Sequence, residues 1–132
     1  MPTAVTVIAA VGSFLLSRVL WPDVAGMPMP DGAQLPLLIG VGAIESIAFG
    51  IGVSFLIFGW KFMIGRSASD WLVFFSAAWG LVSWWPHDNM HRVMMMGDYW
   101  GLIRLEYGFH LTLIIAGVLI ASYLWKQWIP RT

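Results

Sequence analysis

The sequence predicts an all-α membrane protein, a bundle of four transmembrane helices with both termini in the cytoplasm. Three observations carry that expectation. Hydrophobic residues make up 59% of the 132 residues and charged residues only 11%, where a soluble domain carries about 25% charged residues. The apolar residues are gathered into four long runs. The stretches between the runs hold prolines, glycines and most of the charges, which end helices and need water. At this length the chain forms one domain, 1–132. Formal net charge is zero, so no electrostatic footprint for nucleic acid is present. Cysteine is absent, which excludes disulfides, thiolate metal sites and cysteine nucleophiles.

The first run, residues 3–21, is interrupted only by Arg18. Nineteen helical residues rise about 28 Å, close to a hydrocarbon core of roughly 30 Å. No basic cluster precedes the run, and a retained helix is expected rather than a cleaved signal. Arg18 stands near the end, where its stem can carry the charge to the interface. Pro22 stops the helix. A loop follows with Pro22, Pro28, Pro30 and Pro36, and with Asp23, Gly26, Asp31 and Gly32 as further turn signals.

The second run covers residues 37–60. Gly42, Ser46, Gly50 and Ser54 recur at every fourth position and form one ridge on a helix. Such a ridge lets another backbone approach closely. Glu45 interrupts this helix about a turn from its midpoint, at hydrocarbon depth. Lys61 and Arg66 flank the next loop, and Ser67 with Asp70 has the spacing of a capping box. The third helix is expected over 69–85 and the fourth over 101–125, with a His/Met-rich loop, 86–100, between them. Basic residues in the 61–66 loop and in the tail from Lys126 to Arg131 place that side in the cytoplasm. The histidine loop then faces outward, in a plasma membrane of bacterial type.

All three histidines fall between Trp84 and His110. With Pro86 in the first turn of a helix, His87, Met90, His91 and Met94 would share one face at i, i+3, i+4 and i+7. Imidazole with thioether suits copper, Cu(I) above all, and paired histidines also hold iron or zinc. Asp88 is a further ligand or a partner for a histidine ring nitrogen. The bland alternative is a rim loop bonded to its own backbone, with methionine as packing.

A second constellation lies deeper. Glu106 and His110 stand one turn apart on the fourth helix, at a depth near that of Glu45, with Arg104 as the available cation. If the second and fourth helices are neighbours, Glu45, Glu106 and His110 meet, and His87 and His91 cover them. Ionisable groups at this depth must pair. Three meanings follow for Glu45, Arg104, Glu106 and His110: a structural polar knot, a carboxylate–histidine metal site of the kind built inside helix bundles, or a proton relay. The relay lacks ionisable residues in the inner half of the last helix. No phosphate-cradling glycine loop is present.

These features lead to an expected small membrane subunit or self-associating module of a larger assembly. Its partners are the lipid bilayer and other membrane chains or copies of itself, and its outer pocket binds a transition metal or supports a redox centre. Copper is the first candidate, with iron or zinc behind it. A second reading is a stand-alone metal enzyme using Glu45, Glu106, His110 and a loop histidine. A third is a small metal-cation transporter or channel.

Overall fold

The computed structural model describes residues 1–27, 30–94 and 98–128. All regular structure among them is helical. Five helices appear: α1 (Pro2–Leu20), α2 (Gln34–Gly59), α3 (Ala68–Val82), α4 (Trp84–Met94) and α5 (Tyr99–Trp128). A 3-10 turn, Trp60–Met63, continues α2. Three helical stretches, Pro2–Leu20, Gln34–Met63 and Tyr99–Trp128, are long and apolar enough to cross a membrane; α3 is a shorter apolar helix.

Each element starts and stops for local reasons. Pro2 sits in the first turn of α1, where its missing N–H costs nothing. The α2 helix begins three residues before the expected Leu37. The Asp31 carboxylate accepts the N–H groups of Ala33 and Gln34 at 3.0 and 2.9 Å, so Pro36 falls inside the first turn instead of the loop. Gly65, at φ +77°, makes the turn into α3. Ser67 and Asp70 form the expected capping box.

The expected third helix, 69–85, and the loop 86–100 need correction. The helix stops at Val82, and Ser83 separates it from α4. Pro86 has no N–H to bond the Val82 carbonyl, so the α3 hydrogen-bond ladder is interrupted there. The residues beyond Pro86 then form a helix of their own up to Met94. The described residues thus form five helices instead of four. Met95, Met96 and Gly97 of the expected loop lie outside the described residues, as do Pro28 and Arg131.

Packing follows chain order. α1 lies against α2, α2 against α3, and α3 against the Thr112–Trp128 part of α5, while α4 bridges α2 and the start of α5. The small-residue ridge of α2 is used inside the chain. A Cβ on Gly50 would sit 2.9 Å from the Ala10 Cβ, Ser46 is buried, and the Ser54 hydroxyl donates to the Pro2 carbonyl at 3.1 Å. On the other side of α2, a Cβ on Gly52 would meet the Leu81 Cβ at 2.9 Å. Both neighbours therefore approach α2 at glycines. Buried apolar side chains are few: Ala10, Phe74, Ala78, Trp85, Leu105 and Ala116. Large apolar residues such as Ile8, Ile44, Leu111 and Val118 are exposed.

Candidate metal centre

Helix α4 is anchored by one face and offers the other. On the anchored face the Trp85 indole N–H donates to the Ser17 hydroxyl at 2.8 Å. Its ring packs edge-on to Trp21 and against Phe49, with centroids 5.2 and 4.5 Å away. Asn89 donates to the Trp85 carbonyl at 2.7 Å. Arg92 donates to the Trp21 carbonyl at 2.5 Å and pairs with Asp23, which also pairs with Arg18. One aspartate thus joins the end of α1 to α4.

The offered face carries His87 and His91, one turn apart. Opposite them, α5 begins at Asp98, whose carboxylate accepts the Gly101 N–H at 2.8 Å. This helix does not run evenly. Tyr107–Leu111 form a π-helical turn, a form that is rare and frequent at functional sites. Its i→i+5 bonding widens the turn, so residues four apart come closer to alignment along the axis. Glu106 and His110 are such a pair. The turn is braced from α3: Trp79 stacks on Phe109 with centroids 5.6 Å apart and donates to the Thr112 hydroxyl at 3.0 Å. That hydroxyl in turn donates to the Gly108 carbonyl at 2.6 Å.

His87, His91, Glu106 and His110 consequently converge. Each offers a ligand atom, and these atoms all lie within 4.8 Å of one another, so the group can hold a metal ion. Four nitrogen and oxygen donors around one zinc sit about 3.4 Å apart, so small side-chain movements complete a coordination shell. His91 Nε2 lies 3.0 Å from Glu106 Oε1, and His110 Nδ1 contacts Oε2 of the same carboxylate. The ring of His87 is 4.4 Å from that of His91 and 4.8 Å from that of His110. His87 is only 6% exposed, and among the described residues its buried Nε2 has no hydrogen-bond partner. Burial pushes the His87 imidazole below the usual histidine range, and the nearby His91 and His110 add to that effect. A neutral imidazole is the form that ligates a metal.

The two constellations read from the sequence are thus divided differently in space. His87 and His91 of the first join Glu106 and His110 of the second. Asp88 turns to the other side of α4 and lines a cavity of about 240 Å³ with Glu45, Arg18 and Arg92. Glu45 stays apart from the four ligands because α2 and α5 are not principal neighbours; α3 and α4 lie between them. The expected meeting of Glu45 with Glu106 and His110 is corrected accordingly. Arg104 donates to the Trp100 carbonyl at 3.1 Å, and among the described residues neither it nor Glu45 forms an ion pair. Met90 and Met94 are half-buried on α4. Sequence reasoning missed the π-turn and treated Asp23 as a turn residue only. Comparison with protein-family models, with curated proteins and with solved structures finds no match for this chain.

Proposed function

We propose that this chain is a small helical membrane protein that binds one divalent transition-metal ion at its rim, through His87, His91, Glu106 and His110, as a module of a larger membrane assembly. The observation that carries the reading is the His87 side chain. A buried imidazole nitrogen without a partner costs free energy of about 1–3 kcal/mol, and here it stands among three other ligand groups. A metal would relieve that cost.

Three imidazoles and a carboxylate suit zinc(II) or iron(II) better than copper(I), which favours thioethers. Met90 and Met94 would enter only in the copper(I) case. Four protein donors around a tetrahedral ion leave no open position, the pattern of a structural site. The ion would then clamp α4 onto the π-turn of α5. The enzyme reading with Glu45 as a ligand is set aside, since Glu45 lines a different cavity. The module reading draws on the sparse packing of α5: in Thr112–Trp128 the buried residue is Ala116, leaving a long apolar face for lipid or another chain.

Metal titration of the purified, chelator-treated protein in detergent tests the proposal. Zinc or iron(II) should bind at one ion per chain. His87→Ala and Glu106→Gln should each weaken binding by more than the roughly 10–100-fold that loss of an outer-shell partner costs. Met90→Leu should leave zinc affinity unchanged. Absence of one-to-one binding in the wild-type protein refutes the site.

A further inference from the structure

At the end opposite the histidines, the 3-10 turn after α2, the capped start of α3 and the last turns of α5 meet around two adjoining clefts. One, of about 340 Å³, has a wall of Phe55, Phe62 and Phe74 and includes Arg66. The other, of about 310 Å³, lies between α3 and α5 and includes Ser69, Ser122 and Lys126. The two share Asp70, Val73 and Tyr123. Each cleft therefore combines an apolar wall with a cation.

The charges at this end are not balanced. Among the described residues, Asp23, Asp31, Glu45, Asp88, Asp98 and Glu106 all lie toward the histidine end, and Asp70 is the acid at this one. It shares one cleft with Arg66 and the other with Lys126, and Lys61 lies on the 3-10 turn that continues α2. The Asp70 carboxylate is engaged by the backbone N–H and hydroxyl of Ser67, at 3.1 and 2.8 Å. It also fills the N-terminus of α3, so no vacant helix end remains there for an anion. Among the described residues, the Arg66 and Lys126 side chains form no ion pair or hydrogen bond. Arg66, which shares its cleft with Asp70, and Lys126 stand beside hydroxyl donors and an aromatic wall.

We propose that these clefts bind an anionic phospholipid, with Arg66 and Lys126 reading the phosphate and the Phe55–Phe74 wall holding acyl chain. Basic pockets between spanning helices recognise such headgroups. A zwitterionic lipid brings its own cation, which the surplus positive charge here disfavours. A soluble phosphate has no use for the aromatic wall. The proposal rests on the membrane reading of α1, α2 and α5, and not on the metal.

Native mass spectrometry of the full chain in neutral detergent tests it, with phosphatidylglycerol and phosphatidylcholine of identical acyl chains as probes. Phosphatidylglycerol should bind about thirtyfold more tightly, as two surface cations predict. The double variant Arg66→Gln with Lys126→Gln should erase that preference. The exchange Arg66→Lys with Lys126→Arg should keep it, and so should Arg104→Gln at the other end. Unchanged circular dichroism in each variant separates loss of binding from loss of fold. Equal binding of the two lipids, a preference that survives the double glutamine variant, or displacement by millimolar inorganic phosphate would each overturn the assignment. Failure of membrane insertion itself is read separately, by the cysteine labelling described below.

Discussion

Gly50 shows how much can depend on a missing side chain. Its Cα faces the Thr6 carbonyl and the Ala10 methyl across the α1–α2 contact. Gly50→Val should therefore force the helices apart and cost about 1–3 kcal/mol as overpacking, measured as a lowered thermal midpoint in detergent. His87 gives a pH signature. In the metal-free protein its folded pKa lies below the ordinary 6.5. The unfolded chain then takes up the proton first as pH falls. The His87 contribution is complete above the unfolded value and is lost as pH falls toward the folded one. Melting of the apo protein at pH 7.5, 6.5 and 5.5 (about one unit to either side of an ordinary histidine) should show a falling midpoint, with a shallower fall in His87→Gln. Residue identities were the most legible level of the sequence. The histidines and Glu106 stood out as polar groups in an apolar chain. The separation of Glu45 from them was not legible, because depth along a helix says nothing about which helix is its neighbour.

At the scale of elements, the π-turn of α5 is the feature to test. Above it the Trp79–Thr112 bond fixes one helical register, and below it Leu105 is buried. The wide turn between them is what lets Glu106 and His110 face α4 together. Deleting Gly108, where the space around the glycine is open, should restore an ordinary turn with the flanking registers kept and leave His110 three residues after Glu106, about 60° off line with it. Helix content by circular dichroism should remain, while zinc affinity falls at least tenfold, about 1.4 kcal/mol. The apolar runs predicted α1, α2 and α5 to within a few residues, since length and hydropathy are properties of the run itself. The split at Ser83 depended on where the Pro86 ring meets the α3 ladder. The π-turn has no composition of its own, and the Trp79 ring stacked on its Phe109 comes from another helix.

Among the described residues, six of the seven acids lie toward one end of the helix bundle, and Lys61, Arg66 and Lys126 form no ion pair at the other. That asymmetry predicts insertion with the basic end on the side where positive loops are retained. Because the chain has no cysteine, single introduced thiols report the topology cleanly. In sealed right-side-out vesicles, Ala33→Cys should react with an impermeant maleimide from outside, and Ser69→Cys should react only after lysis. Equal labelling of both from outside would contradict a spanning arrangement. The Asp23 bridge carries a further consequence. By holding Arg18 and Arg92 at once, it ties the end of α1 to a rim helix that lies 69 residues further along the chain. Until α4 emerges from the ribosome, Asp23 has only Arg18. The histidine-bearing cap can thus seat onto a foundation whose matching charge is already in place when α4 is made.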